Sequence, residues 1–158
     1  MLNAILIGAG ATAFMDVGSL LRTRLFGTPF PDYALVGRWI AHAAGGRVFH
    51  HAIAQSAPVR GEALLGWAAH YVIGIGYAGL LLLGWPDWAA QPTPGPAMLV
   101  GLGTVLAPFL IMQPGMGAGF FASRTPDPNA ARLRTLITHA IFGLGLYAAG
   151  LALHAAFP

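Results

Sequence analysis

The chain has 158 residues, of which 56% are hydrophobic and only 8% are charged, and its mean hydropathy is +0.67. An ordinary soluble domain carries about 25% charged residues, so the composition excludes that class and predicts an integral membrane protein. There is no cysteine, which excludes disulfides, cysteine-based zinc sites and thiol nucleophiles. The net charge of +3 comes from arginines beside apolar segments, so we expect anionic lipid headgroups, and not nucleic acid, as partners of this charge.

Four apolar segments are long enough to cross a hydrocarbon core of about 30 Å, which takes about 20 helical residues. In chain order they cover residues 4–21, 63–85, 96–121 and 133–155. The first has no basic residue ahead of it and contains Asp16, which is typical of a retained span and not of a cleaved signal. The sequence therefore predicts one transmembrane domain, residues 1–158, with the fold class of an all-α four-helix bundle in the lipid bilayer.

The connection between the first two spans, residues 22–62, is too long for a simple turn. Its stretch YALVGRWIAHAA, residues 33–44, places Leu35, Trp39 and Ala43 on one helical face. This pattern predicts a short amphipathic helix that lies in the membrane interface. The rest of the connection has no clear period, and it is either a cap over the cytoplasmic end of the bundle or a mobile loop. Its histidines, His50 and His51, are able to bind a phosphate or a metal, although exposed loop histidines usually do neither.

The arginines indicate the orientation of the chain. Five lie between the first and second spans and three between the third and fourth. Because short arginine-rich connections stay in the cytoplasm, both termini are predicted to face the opposite side. Trp85 and Trp88, which lie between the second and third spans, are then predicted to belong to the aromatic belt at that opposite interface.

Small and polar residues recur at helical spacing in three spans. Helices in lipid associate through small residues and interhelical hydrogen bonds, so these stripes are the predicted packing faces. The stripes contain Gly8, Thr12, Asp16, Ser19 and Thr23 in the first span, Gly66, His70, Gly74 and Tyr77 in the second, and Thr135, His139, Gly143, Tyr147 and Gly150 in the fourth.

Four polar residues lie at similar depth in the cytoplasmic half, when about 1.5 Å of rise per residue is counted from the nearest charged loop residue. They are Asp16, His70, Gln113 and His139, and the candidate site also includes Thr12, Tyr77 and Tyr147. Ionisable groups in lipid are costly and usually face the bundle interior, so the four are predicted to form one polar layer. The layer is either a set of hydrogen bonds that fixes helix register or a pocket for a solute, a proton or a metal; the third alternative is that the residues never meet.

The third span contains an unusual stretch, APFLIMQPGMGAGFFASRTP, at residues 107–126. Pro108 and Pro114 each lack an N–H and clash with the carbonyl four residues earlier, so the helix is predicted to kink or break. Three glycines follow: Gly115, Gly117 and Gly119. Irregular backbone is tolerated at membrane depth only against protein or a watery cavity, so the segment is predicted to face inward. It is either a packing kink or part of a site that includes Gln113.

A resemblance to a known family is carried by four segments, YALVGRW, GWAAHY, APFLIMQPGMGAGFFASRTP and RLRTLITHAIFGLGLY. They resemble a family of small bacterial inner-membrane proteins that is known only as a domain of unknown function. The resemblance covers most of the chain and implies a multi-pass protein of the bacterial cytoplasmic membrane with four helices. With the arginine distribution, it places both termini in the periplasm. It implies no activity, cofactor or catalytic residue.

Two classes of function are open from the sequence. The first is a solute or ion pathway, in a monomer or a homo-oligomer, along which the polar layer lines a route beside the broken third span. The second is a cofactor or enzyme site, with haem b or a metal held between His70 and His139. A structural subunit of a larger membrane complex is a third alternative. No H-E-x-x-H or G-x-S-x-G pattern occurs, so the sequence leans away from an enzyme and indicates no catalytic residue.

Overall fold

Five helices make up most of the structure, a computed structural model that describes residues 1–157. In chain order they are α1 (Leu2–Phe26), α2 (Tyr33–Ala44), α3 (Glu62–Gly84), α4 (Pro94–Met116) and α5 (Pro128–Ala156). All except α2 are long and apolar enough to cross a membrane. The described residues contain no strand. The predicted fold class is confirmed: an all-α membrane protein with four spans, a short amphipathic helix after the first span and a broken third span.

The ends of three spans differ from the predicted ends, and local capping explains each difference. α1 continues to Phe26 because its C-cap is Gly27, whose φ of 65° is left-handed. α5 begins at Pro128 because the side chain of Asp127 accepts a hydrogen bond from the Ala130 N–H at 3.0 Å. The third span ends five residues before the predicted end at residue 121. α4 ends at Met116 because the next residue, Gly117, has a φ of 98°.

The chain divides into two compact units. Unit 1 contains residues 1–30, 71–104 and 136–157, and unit 2 contains residues 31–70 and 105–135. The helices α3, α4 and α5 each contribute residues to both units. The prediction of one domain stays a prediction.

Unit 1 is a bundle of helices that meet through small residues. Gly8 of α1 lies against Ile75 of α3, and Gly101 of α4 lies against Gly143 of α5, so closely that a Cβ on either glycine would collide with backbone. The predicted packing faces are confirmed at these positions. The fully buried core of unit 1 contains Ile7, Ala11, Ala78, Leu81, Ala97 and Leu146, each 0% exposed.

Trp88 lies in the core of unit 1, so the prediction that it belongs to an aromatic belt is wrong. It is 4% exposed, its indole ring packs against Gly150 of α5, and its Nε1 donates to the Thr93 carbonyl at 2.9 Å. The neighbouring Trp85 is 38% exposed. Hydropathy cannot distinguish the two rings, because the partner that buries Trp88 lies more than sixty residues further along the chain.

Unit 2 is organised by a very close approach of α2 to the first turns of α3. A Cβ on Gly37 would collide with the Glu62 carbonyl oxygen, and a Cβ on Gly66 would collide with the Tyr33 carbonyl oxygen. The two helix backbones are therefore in direct contact, and no other residue type fits at either glycine without moving one helix.

Candidate functional site

The hydrogen-bond pattern of α4 changes between Pro108 and Met112. This stretch is a π-helical turn, in which the Gln113 N–H donates to the Pro108 carbonyl five residues earlier instead of four. Pro114, one residue later, has no N–H to donate. The predicted break of the third span is confirmed, and its position indicates that the prolines are the cause.

The end of α4 packs against other parts of unit 2 and leaves little room. Gly115 lies against the indole ring of Trp39 on α2, and Gly117 lies against the carbonyl of His51. The carbonyl of Gly115 accepts a hydrogen bond from the His50 N–H at 2.9 Å. The segment therefore faces protein at these two glycines, as irregular backbone at membrane depth requires.

The turn after α4 is tight. Gly119 has a φ of 75°, and Phe121 and Ala122 have φ values of 51° and 56°, which are rare for residues that carry a Cβ. Gly119 lies against Ser123 and Arg124 of this same turn. The sequence predicts that Gly119 faces protein or a cavity inside the bundle. In the structure its nearest contacts are residues of its own turn.

Gln113, directly after the π-helical turn, has one satisfied and one unsatisfied end. Its Nε2 lies 3.4 Å from Thr135 Oγ1, and that hydroxyl donates to the Ala131 carbonyl at 2.9 Å, which leaves a lone pair to accept from the amide. Its Oε1 is buried and has no hydrogen-bond partner. A buried acceptor without a partner costs about 1–3 kcal/mol, so a cation or a hydrogen-bond donor would be stabilised at this oxygen.

Asp16 faces α3 within unit 1. Its Oδ2 accepts a hydrogen bond from the Tyr71 hydroxyl at 3.2 Å. Further along α1, Arg22 donates to Thr138 Oγ1 at 2.9 Å. Asp16 and Arg22 of α1 thus each contact another helix of unit 1.

The hydrogen bonds of Thr104 determine the tautomer of His139. Thr104 Oγ1 lies 2.7 Å from the Gly101 carbonyl and 2.9 Å from His139 Nδ1. The carbonyl only accepts, so the hydroxyl proton points towards it, and Nδ1 of the neutral imidazole must donate to Oγ1. Nε2 of His139 then carries the lone pair, and it is the nitrogen that takes a proton or a metal.

His70 lies in an aromatic cluster of unit 2. Its ring stacks on Tyr33 with centroids 4.1 Å apart and an interplanar angle of 27°. Tyr33 also contacts Trp67, with centroids 4.5 Å apart. This contact anchors the start of α2 to α3, so packing accounts for much of the role of His70.

The remaining candidate residues have structural contacts in unit 1. Thr12 is fully buried and donates to the Gly8 carbonyl of its own helix at 2.8 Å. Tyr77 meets Phe142 edge-on with centroids 6.2 Å apart, and Tyr147 packs on the apolar core.

The four residues of the predicted polar layer have different partners. Asp16 pairs with Tyr71 and His139 with Thr104 in unit 1, whereas His70 and Gln113 have separate partners in unit 2. The layer itself stays a prediction. Within residues 1–157, no group of three or more histidine, aspartate or glutamate side chains is placed to hold a metal ion.

The comparison with known proteins decides the family. A family model described as "Protein of unknown function (DUF2938)" matches residues 5–153. The chain belongs to this family. DUF2938 thus covers nearly the whole chain, and the resemblance seen in the four sequence segments is confirmed. No curated protein and no solved structure matches the chain, so DUF2938 membership brings no activity with it and function must be argued from the side chains.

The sequence of this DUF2938 chain does not predict the polar cluster around Arg38. Arg38 of α2 binds Glu62 through two hydrogen bonds, from Nε at 2.8 Å and from Nη2 at 2.7 Å. These hydrogen bonds raise the pKa of the Arg38 guanidinium above its usual value. Nη1 also donates to the carbonyls of Ala54 and Ser56, both at 3.2 Å. The connection after α2 is thereby held in place, which argues against the mobile-loop alternative, and the cap stays a prediction.

His50 is buried, which corrects the expectation of an exposed loop histidine. It is 6% exposed, and its Nε2 has no hydrogen-bond partner. The sequence does not indicate the burial of His50, because its partner Gly115 lies 65 residues further along the chain. His51 is exposed, as expected.

Proposed function

We propose that this protein binds a small cation and passes it across the membrane at the break of α4. The observation that carries the proposal is the buried and unpaired Oε1 of Gln113, directly after the π-helical turn Pro108–Met112. Turns of this kind inside α-helices occur frequently at functional sites. Broken helices with free backbone carbonyls form the ion sites of many transporters.

The chemistry of the break selects the ligand class. An amide oxygen and the backbone carbonyl that loses its donor to Pro114 only accept hydrogen bonds. Such oxygens stabilise a hard cation or an ammonium group and repel an anion. Sodium, potassium and ammonium ions are therefore the proposed substrates, and the proposed role is that of a channel or carrier.

The proposed location is supported by the distribution of the arginines. We infer that the protein lies in the cytoplasmic membrane of a bacterium with both termini in the periplasm, because all eight arginines lie in the α1–α3 and α4–α5 connections or in the helix ends beside them. Not all of these arginines are available for anionic lipids. Arg38 binds Glu62, and Arg132 donates to the Phe121 carbonyl at 2.8 Å. The exposed Arg24, Arg47 and Arg60 are the proposed headgroup contacts.

The test is an ion flux measurement in liposomes. The purified chain is reconstituted with a gradient of sodium, potassium or ammonium chloride, and a potential-sensitive dye reports cation movement. Gln113→Leu removes the acceptor oxygen at nearly constant volume. A loss of about 1.4 kcal/mol at the site corresponds to about tenfold in affinity, so the flux at low cation concentration should fall about tenfold.

The matched control is Gln91→Leu, which makes the same chemical change at an exposed position before α4. It should leave the flux at the wild-type rate. The proposal is rejected if the wild-type protein passes none of the three cations, or if the two leucine variants behave alike.

The tautomer of His139 favours a haem- or metal-binding function as the second candidate. Its Nδ1 donates to Thr104 at 2.9 Å, which leaves Nε2 as a nitrogen able to ligate iron. The purified protein would then show a Soret band that His139→Ala removes and that His154→Ala, at the end of α5, does not. A protein without visible absorption after expression with added haem precursor rejects this function.

A further inference from the structure

Two histidines of unit 2 lie side by side, and a backbone carbonyl holds one nitrogen of each. His42 of α2 and His50 have ring centroids 5.2 Å apart and an interplanar angle of 72°. His42 Nε2 lies 3.0 Å from the Ala57 carbonyl, and His50 Nδ1 lies 3.3 Å from the Gly115 carbonyl. Because a carbonyl only accepts hydrogen bonds, these two nitrogens carry the protons of the neutral rings.

The other two nitrogens, His42 Nδ1 and His50 Nε2, therefore carry lone pairs. His50 Nε2 is buried away from bulk water and has no hydrogen-bond partner. Burial of an unpaired acceptor is unfavourable. Histidines that ligate metals show this same arrangement, in which the nitrogen that does not bind the metal donates to a backbone carbonyl or a carboxylate.

The distance between the rings is compatible with one shared ion. With a metal–nitrogen distance of about 2.0 Å, two imidazoles on a tetrahedral ion have centroids roughly 5 Å apart. The observed 5.2 Å agrees with this geometry. Two rings in simple edge contact have a similar spacing, and the unpaired His50 Nε2 is what distinguishes this pair from a simple edge contact.

The backbone around the pair is held by other side chains. Trp39 Nε1 donates to the Val48 carbonyl at 2.8 Å, two residues before His50. Arg38 Nη1 donates to the Ser56 carbonyl at 3.2 Å, next to the residue that binds His42. The two histidines are thus positioned from both sides before any ligand arrives, as a metal site requires.

We propose that His42 and His50 bind one divalent transition-metal ion, of the class of Cu²⁺, Zn²⁺ and Ni²⁺, through Nδ1 of His42 and Nε2 of His50. Imidazole nitrogens prefer these ions, whereas Mg²⁺ and Ca²⁺ prefer oxygen ligands. In the part of the chain that the structure describes, no acidic or histidine side chain makes the pair a group of three. Water molecules therefore complete the coordination and leave positions open for exchange. The site uses none of the residues proposed for cation passage.

The test is a titration of the full-length chain, purified in detergent without a histidine tag, with CuSO₄ and separately with ZnCl₂. Calorimetry should give one ion per chain, and the electron paramagnetic resonance spectrum of bound Cu²⁺ should show coupling to two nitrogen nuclei. His42→Ala and His50→Ala should each weaken binding at least tenfold and remove the coupling to one nitrogen. His51→Ala changes the exposed neighbour and should bind as the wild type does.

Because His50 is buried, His50→Ala is judged only if its helix content by circular dichroism equals that of the wild type. If the helix content of His50→Ala differs, metal binding by His42→Ala, which changes a partly exposed position, tests the proposal instead. The proposal is overturned if His42→Ala retains wild-type Cu²⁺ affinity and spectrum, or if His51→Ala loses as much affinity as the other two. Either result leaves the proposal on Gln113 untouched, because ion flux is measured separately.

Discussion

Whether Gly37→Ala stabilises or destabilises the protein depends on the contact between α2 and α3. Alanine at an open helical position stabilises a helix by about 0.5–1 kcal/mol relative to glycine. At Gly37 the added methyl group would collide with the carbonyl of Glu62 and the N–H group of Gly66. Overpacking costs about 1–3 kcal/mol. Backbone atoms cannot rotate away as a side chain does, so the upper part of that range applies and the net destabilisation is about 2 kcal/mol.

The assay is thermal unfolding of the detergent-solubilised protein, followed by circular dichroism. For a chain of this size, 1 kcal/mol corresponds to about 2–4 °C in Tm. Gly37→Ala should therefore lower Tm by roughly 4–8 °C. The matched control is Gly76→Ala in the middle of α3, where nothing lies within 4 Å of a new Cβ. That change should raise Tm by roughly 1–4 °C.

Opposite signs for the two glycines are the expected result. A rise in Tm for Gly37→Ala, equal to the rise for Gly76→Ala, would show that α2 does not lie against α3. The placement of Arg38, Glu62 and the connection after α2 would then be refuted with it, because these residues depend on the same contact.

Three further predictions concern other parts of the chain. Reporter fusions at either terminus should be active in the periplasm and inactive in the cytoplasm, because all eight arginines lie in the α1–α3 and α4–α5 connections or in the helix ends beside them; the reverse pattern contradicts the topology. Asp16→Asn should keep the wild-type Tm, since an amide oxygen still accepts from Tyr71, whereas Asp16→Leu should lower it; equal Tm values for both variants contradict the role of that bond. Gly117→Ala should lower Tm by several degrees, because a φ of 98° and the adjacent His51 carbonyl both exclude a Cβ; an unchanged Tm contradicts the described turn.

Hydropathy predicted the spans because it is a local property of the sequence. Each span needs only a run of apolar residues, and helix packing in lipid needs only small residues at helical spacing, as Gly8 and Gly143 show. The break of α4 can be predicted from the sequence for the same reason, since Pro108 and Pro114 act on carbonyls of their own helix.

Contacts between residues far apart in the sequence could not be predicted in this way. Arg38 and Glu62 are separated by 24 residues, and His50 and Gly115 by 65. The approach of the backbones at Gly37 brings Arg38 to its partner, and no periodicity in the connection indicates that approach. The burial of His50 and of Trp88 has the same origin, since each is covered by a glycine on a helix that comes later in the chain.

The sequence also cannot predict which atom of a buried polar side chain lacks a hydrogen-bond partner. From the sequence, Gln113 is a candidate for a site because it combines the depth of the predicted polar layer with a predicted kink, and the structure adds that its oxygen is the unpaired end. That distinction determines the ligand class, because an unpaired amide nitrogen in the same place would attract an anion.

Cation binding at Gln113 is tested most directly by a structure determined in a thallium salt. Tl⁺ replaces potassium at oxygen sites and scatters X-rays anomalously. The proposal predicts one anomalous difference peak within about 3 Å of Gln113 Oε1, which is absent from crystals of Gln113→Leu. It is contradicted by crystals of the wild-type protein in which Oε1 accepts a hydrogen bond from another side chain and no thallium peak lies beside α4.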